Sequence, residues 1–433
     1  MAFQNLEKRA SEFYDNSVIE CLRKDIHPIG STLNIGEHVW DVVCEFDEKK
    51  YSDGSRVPVD GIFEISDNER KYYAKIDEKF LKNVSNFNEI EKVSLNFVSP
   101  EANAETIKAK VIRNEHGGSG GNAAIAQRAF LNYLIFRIGK KEFPDKKKVL
   151  SKLKGIKVLY SGIDSITNGF EQYYRDKGLV TRGEKNTLMI LPKEYQVPMN
   201  FIFETGSKKI LRSPQKHLDY NGIFQEPLSR TNMEGVGSIF LNSVKNEYLF
   251  QEALKLYKES RIIKGGAFTH SSFNSQEDLI ENRLLNNLEV IAENREEIGY
   301  MAGKGLYGGL DSLAKKNNNS NLVIFTTLDK RGIMASYYQE GERSKEIVSN
   351  PLITPEENHK PEFTGAGDTA LGVAMMGHIL GLPAEYTIEL ANVFAQYRIN
   401  TNGIHTYADE LHGEIKNNKK NLSIEKCLID PAR

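Results

Sequence analysis

Cysteine is scarce, long apolar runs are missing and neither sign of charge dominates. Cys21, Cys44 and Cys427 are the only cysteines among 433 residues. They are far apart and form neither a CxxC pair nor a Cys/His cluster, so the sequence contains no disulfide framework and no zinc-binding pattern. Such usage suits a reducing compartment, and the cytoplasm is the expected location. No apolar stretch approaches the ~18 residues needed to span a bilayer. The stretch from Met1 to Lys24 carries acidic residues and lacks an apolar core of signal-peptide length. Lysine and arginine number 57 against 59 aspartates and glutamates, a formal charge of −2. No global basic field is therefore expected to attract nucleic acid or an anionic membrane surface. There is no internal repeat, and Lys146-Lys147-Lys148 and Asn317-Asn318-Asn319 read as solvated loops. What remains is an ordinary globular composition, 39% hydrophobic and 27% charged.

Short apolar runs rich in β-branched residues alternate with helical patterns along most of the chain. Leu33 to Glu45 reads as one early strand carrying Asp41. Lys49 to Arg113 then alternates short extended patterns with charged turns and reads as an insertion. Beyond Gly121 a glycine-rich turn opens a helix with apolar residues at helical spacing. Strand signals recur at Val158-Leu159-Tyr160, Ile239-Phe240-Leu241, Ile262-Ile263, Leu288 to Ile291 and Leu322 to Phe325. Helices are expected near Gly169 to Asp176, from Glu247 to Ser260 and from Glu296. This alternation predicts an α/β fold with a parallel sheet covered by helices on both faces. Two long helices, Gly367 to Leu380 and Ala384 to Ile399, are predicted to close the chain, with Gly381-Leu382-Pro383 as the stop and restart.

The sharpest local signal is Thr364-Gly365-Ala366-Gly367-Asp368-Thr369, small residues set immediately before a helical stretch. Amides at a helix N-terminus carry partial positive charge, and glycines let an anion approach them, so Gly365, Ala366 and Gly367 can form an anion hole. Asp368 in the first helical turn is placed to take a proton from a hydroxyl beside a stabilised phosphate. The same residues also suit a plain N-cap. Asn294 and Glu297 have the spacing of a capping box, the commoner reading of that pattern taken alone, and also of a strand-end pair turned to one side.

These pieces occur in an order that resembles the ribokinase-like carbohydrate kinases. Asp41 matches the sugar-binding aspartate of that family. Gly117-Gly118-Ser119-Gly120-Gly121-Asn122 is similar to its Gly-Gly-x-Gly-x-Asn sugar signature, and Asp164, ending Val158 to Asp164, is similar to its Gly-x-Asp strand end. Asn294-x-x-Glu297 resembles the motif that organises magnesium through water. Thr327-Leu328-Asp329-Lys330-Arg331-Gly332 resembles its nucleotide loop, with Asp329 in place of a glycine, and Asn392 falls on the matching C-terminal helix.

The resemblance implies a three-layer α/β/α fold with a mostly parallel central sheet and a smaller β-rich lid. Residues 1–48 and 114–433 would form the large domain and 49–113 the lid, with parts of 185–225 as candidates to join it. The 75 residues between Asp41 and Gly117 make this lid an enlarged one, a trait shared with ADP-dependent sugar kinases. The implied activity is transfer of the terminal phosphoryl of ATP or ADP to a hydroxyl of a sugar, sugar phosphate or nucleoside, with magnesium as cofactor. Asp41, Gly117, Gly118, Gly121, Asn122 and Asp164 would bind the acceptor, and Asn294, Thr327, Asp329, Gly332 and Asn392 the nucleotide. The alternative is a catalytically inactive kinase fold that senses sugars or nucleotides or docks a partner, and the lid is also a candidate homodimer clasp. Arg113, His116 and Arg128 are candidates for a substrate phosphate, while His270 reads as a loop residue.

Overall fold

The computed structural model describes residues 16, 18–23, 30–36, 38–46, 62–66, 71–76, 91–97, 107–161, 163–165, 170–179, 189–191, 199–205, 208–212, 236–242, 263–267, 288–302, 305–317, 321–349 and 363–428. Strand β1 (Ser31–Gly36) leads into β2 (Val39–Phe46), followed by β3 (Ile62–Ser66), β4 (Lys71–Ile76), β5 (Lys92–Phe97) and β6 (Ile107–Gly117). Helices α1 (Ser119–Gly139) and α2 (Lys146–Gly155) come next, then β7 (Val158–Ser161), β8 (Ile163–Ser165) and α3 (Phe170–Asp176). Strands β9 (Met189–Leu191), β10 (Met199–Thr205), β11 (Lys208–Arg212), β12 (Val236–Asn242), β13 (Ile263–Ala267) and β14 (Val290–Asn294) precede α4 (Arg295–Ala302) and α5 (Leu306–Lys316). The chain continues through β15 (Asn321–Thr327), β16 (Ile333–Gln339), β17 (Glu342–Ser349), α6 (Ala366–Ile379), α7 (Ala384–Ile399) and α8 (Thr406–Lys416).

The larger sheet has the order β17-β16-β15-β14-β13-β12-β1-β7. It is parallel from β7 to β15, with β16 and β17 added antiparallel at one edge. Val290, Ala292, Val323 and Phe325 join helices α1, α6 and α7 in one hydrophobic cluster. The alternate residues Ile291, Leu322 and Ile324 are equally buried, so the sheet is covered on both faces, as near-continuous apolar strands require. Right-handed crossovers place α4 and α5 opposite α6, and Ile298, Leu310 and Leu313 fill that second layer. Strand β1 lies between β7 and β12, so the chain winds outward from it in both directions. The crevice at the carboxyl ends of strands around such a switch point is where open α/β sheets bind ligands.

The predicted single strand from Leu33 to Glu45 is two strands in two sheets. Strand β1 ends at Gly36, and β2 enters a seven-stranded sheet of order β11-β10-β2-β6-β5-β4-β3. Asp41 therefore lies on β2, outside the central sheet. His38, at the break, is buried against the rings of Tyr160, Phe170 and Tyr174. The second sheet takes in the four described strands between residues 62 and 117 and also β2, β10 and β11.

Three other expectations need correction. Lys146 to Lys148 open helix α2, because Val149 and Leu153 bury one face of it. Asn317 is buried, its amide donating to the Leu288 carbonyl oxygen at 2.7 Å beyond the end of α5. The predicted pair of closing helices is followed by a third, α8, and by a 3-10 turn, Ser423–Leu428. The helix expected from Glu247 to Ser260 and the loop containing His270 lie outside the described residues.

Candidate active site

Helices α1 and α6 bring two sequence motifs together. Gly372 on α6 faces α1 so closely that a Cβ there would sit 2.6 Å from the Ala123 carbonyl oxygen. This contact between small residues sets the N-terminal turns of the two helices side by side. In the first turn of α1, Asn122 Nδ2 donates to Asp368 Oδ2 in the first turn of α6 at 2.8 Å. The two residues are 246 positions apart in the chain.

Gly365 is the N-cap of α6 with φ 76°, a left-handed conformation that glycine takes without strain. The helix begins at Ala366, and Thr369 N–H donates to the Gly365 carbonyl oxygen at 2.9 Å. Gly367 is exposed, and a Cβ on it would meet nothing within 4 Å. Amides of the first turn thus face an open approach on the side where Asp368 stands, the arrangement needed to receive an anion.

The glycine signature has a packing role of its own. A Cβ on Gly117 would fall 1.9 Å from Asp41 Oδ2, so glycine lets β6 lie against the Asp41 carboxylate without displacing it. Gly118 is the N-cap of α1, while Gly120 and Gly121 are residues of the helix and not of the turn before it. Gly121 packs against the Tyr174 hydroxyl. Asp41 is buried, opposite Glu115 across the β2/β6 pair, and so stands next to the same helix N-terminus as Asn122.

Asn294 ends β14 and caps α4 reciprocally with Glu297. Glu297 N–H donates to Asn294 Oδ1 at 2.8 Å, and Asn294 N–H donates to Glu297 Oε2 at 3.2 Å. The capping-box reading is thus realised, and it fixes the Glu297 carboxylate at the strand end. Glu293 is fully buried beside it. Burial first, then the charge of Glu297, a hydrogen bond to it and the charge of Asp368, hold Glu293 well above the usual carboxyl range.

Thr327 ends β15, and the following loop closes with Leu328 N–H donating to the Gly332 carbonyl oxygen at 2.7 Å. Asp329 takes φ 53°. At the position where the resembled pattern has glycine, this chain has a left-handed backbone and one of the few other residues that adopt it.

No protein-family model and no curated protein matches the chain. Among solved structures, ribokinase of Arabidopsis thaliana complexed with ribose and ATP superposes with a TM-score of 0.52 at 13% identity, over 90% of this chain and 99% of that one. Ribokinase of Cryptococcus neoformans in complex with ADP gives 0.52 at 14% identity over 90% and 99%. Adenosine kinase from Sinorhizobium meliloti gives 0.52 at 14% over 88% and 98%. The chain has the ribokinase fold.

Within this ribokinase fold the structure gathers Asn122, Gly365, Ala366, Gly367 and Asp368 at one point, with Asp41 and Gly117 beside them. Glu293 lies near enough for the charge of Asp368 to act on it, so the β14 strand end borders the same site. Asn392 is accounted for differently: its Nδ2 donates to the Ser349 carbonyl oxygen at 3.1 Å and to Ser349 Oγ at 2.7 Å, tying α7 to the end of β17. Asp164 lies on β8, paired with Ile190 of β9, and its side chain is outside the described residues.

The three candidates for a substrate phosphate are engaged elsewhere. Arg113 pairs with Glu115 at 3.3 Å. Arg128 is half-buried with its guanidinium against Gly178, where a Cβ would lie 3.6 Å from Nε. His116 packs among Trp40, Phe170 and Tyr173, and burial, then Lys177, lowers it to about 4.

Four site residues fall outside the motifs the sequence offered. His405 Nε2 bonds Asn122 Oδ1 at 2.8 Å, and its other ring nitrogen bonds the Tyr173 hydroxyl. Arg398 is fully buried at the end of α7, its guanidinium 3.7 Å from where a Cβ of Gly365 would be. Glu293 had one legible signal, a lone carboxylate in the apolar run Val290-Ile291-Ala292.

Among the described residues no three His, Cys, Asp or Glu side chains are arranged to enclose an ion. The donor set at the β14 end is one accessible carboxylate, Glu297, with an amide oxygen next to it. Magnesium that keeps its waters and binds through nucleotide phosphates takes such a set, so the residues present fit it.

Proposed function

We propose that the protein is a small-molecule kinase that moves the terminal phosphoryl of ATP or ADP to a hydroxyl of a sugar, sugar phosphate or nucleoside. The observation carrying this reading is the Asn122 to Asp368 hydrogen bond, which puts the glycine signature and the Gly-Ala-Gly-Asp turn in one place. Asp368 accepts the proton of the attacking hydroxyl, and the oxygen so freed attacks the terminal phosphorus in line with the leaving nucleotide oxygen. The amides of Gly365 to Gly367, with Arg398 buried below, stabilise negative charge on the phosphoryl in transfer. Asp41 and Asn122 hold neighbouring hydroxyls of the acceptor. The loop from Thr327 to Gly332 receives the nucleotide. Glu297 directly, and Asn294 through water, would hold magnesium, which when bound neutralises the nucleotide phosphates.

Support also comes from the solved structures of like fold, among them a ribokinase with ribose and ATP and a ribokinase with ADP. Residues 49–113 with β2, β10 and β11 act as the lid that excludes water from the crevice. The test is an acceptor screen of sugars, sugar phosphates and nucleosides run in parallel with ATP and with ADP. Acceptor-dependent nucleotide turnover is expected for one acceptor class and one donor. Binding of nucleotide or sugar without turnover across the panel would instead favour a sensor.

A further inference from the structure

Behind the Asn122 to Asp368 bond runs a chain of side chains to which no role has been given. Each link has only one chemically consistent polarity. Asn122 Nδ2 donates to Asp368 Oδ2 at 2.8 Å, the polarity that a carboxylate serving as base requires, so the NH2 group faces Asp368. Asn122 Oδ1 therefore faces His405 Nε2, 2.8 Å away, and that nitrogen must carry a hydrogen. His405 is fully buried, and burial, then the charges of Lys177, Arg398 and His116, holds it well below its ordinary value. It is the neutral imidazole, with one N–H, and Nδ1 is left as an acceptor. The Tyr173 hydroxyl is the group bonded to Nδ1. Burial, then Asp409 and Glu115, pushes Tyr173 upward, so it remains a phenol and can donate.

The chain is held from outside as well. Ile404 N–H, the amide next to His405, donates to Glu115 Oε2 on β6 at 3.0 Å. Four elements thus converge: α3 through Tyr173, the turn before α8 through His405, α1 through Asn122 and α6 through Asp368.

We propose that His405 and Tyr173 are positioning residues for the base: they commit the Asn122 NH2 group to Asp368 Oδ2 and so leave Oδ1 as the oxygen that takes the proton of the acceptor hydroxyl. The proposal rests on the reading of Asp368 as that base. In the step served, the acceptor O–H bond breaks, its proton passes to Asp368 Oδ1, an O–P bond forms and the bond to the leaving nucleotide oxygen breaks with its electron pair. Without the imidazole donor Asn122 Oδ1 loses the partner that anchors the amide. The amide, still bonded to the carboxylate through its NH2 group, is then free to shift and carries Asp368 off the hydroxyl.

Two measurements test this on the full chain. The first needs no activity: long-range 1H–15N correlation of histidine-labelled protein at pH 7, with the His405 signals identified by their loss in His405→Gln. The expected pattern is a neutral ring with hydrogen on Nε2, and a second tautomer populated in Tyr173→Phe. Hydrogen on Nδ1, or an imidazolium, overturns the proposal.

The second is kinetic. His405→Leu should lower kcat by on the order of tenfold to a hundredfold, the scale of a displaced catalytic group, with KM for nucleotide unchanged. His405→Gln, which can restore an N–H donor toward Asn122, should recover most of kcat. A merely structural histidine would give equal losses in both variants, and unchanged kcat in His405→Leu would also overturn the idea. The expected tautomer in a protein that turns over no acceptor overturns the reading of Asp368 as base, and the catalytic half of this proposal with it, leaving the hydrogen-bond assignment in place.

Discussion

Asp329 and Asp368 show how differently two aspartates in family-like motifs can be read. Asp368 was placed in a first helical turn by the sequence, and the structure puts it there, bonded to Asn122. Asp329 looked like a departure from a glycine loop, and its backbone angle explains why the loop survives the change. A φ of 53° costs most L-residues roughly 1–2 kcal/mol, less for aspartate and nothing for glycine. Asp329→Gly is therefore expected to leave the denaturant midpoint unchanged or slightly raised, and Asp329→Val to lower stability by about 1–2 kcal/mol. Equal stability of the two variants would show that the loop does not hold this angle. His405 and Tyr173 were not legible at this scale, since their roles depend on atoms met only in space and no spacing marks them.

At the scale of elements, the helices and parallel strands of the central sheet were readable because apolar periodicity and the Gly381-Leu382-Pro383 stop carry them. Helix α7 has the predicted limits. The break between β1 and β2 was not readable. Leu33 to Glu45 is apolar and β-branched on both sides of His38, so pattern alone makes one strand, and only the separate partners of the two halves divide it. The α1/α6 contact was half readable: small residues at Ala123, Ala126 and Gly372 were visible, but not that they face one another. Since a Cβ at Gly372 would press on the backbone of α1 at 2.6 Å, Gly372→Val should cost about 1–3 kcal/mol of stability. It should also lower kcat out of proportion to nucleotide affinity, because it separates Asn122 from Asp368. Paired denaturation and steady-state kinetics check both effects, and loss of stability with full kcat would uncouple that contact from the site.

For the whole molecule, histidines desolvated by their surroundings, His38 buried and His116 and His378 half-buried, give stability a pH dependence of defined sign. His38 is lowered to about 3, and His116 and His378 to about 4, each chiefly by burial. Between the unfolded value of 6.5 and these folded values the unfolded chain binds more protons, so the contribution is complete above about pH 6.5 and is lost as pH falls toward 4. Each such histidine costs about 2 kcal/mol between pH 7 and pH 5. Glu293, raised by burial, works in the opposite direction, so the cleanest reading comes from one histidine at a time. His378, on α6 against Phe325 and away from the Asn122 to Asp368 contact, is suited to this. The stability of His378→Leu should fall by about 2 kcal/mol less than wild type between pH 7 and pH 5, and an unchanged slope would show that this histidine is protonated in the fold. In the proposed function all these features serve a crevice at the carboxyl ends of the central strands, with Asp368 as the reacting group. The most direct test is phosphoryl transfer by wild type and Asp368→Asn with the acceptor found in the screen, with nucleotide binding measured on the same samples. Turnover should fall by ~10²–10⁴-fold in the variant while nucleotide still binds, whereas turnover near that of wild type would contradict Asp368 as the base.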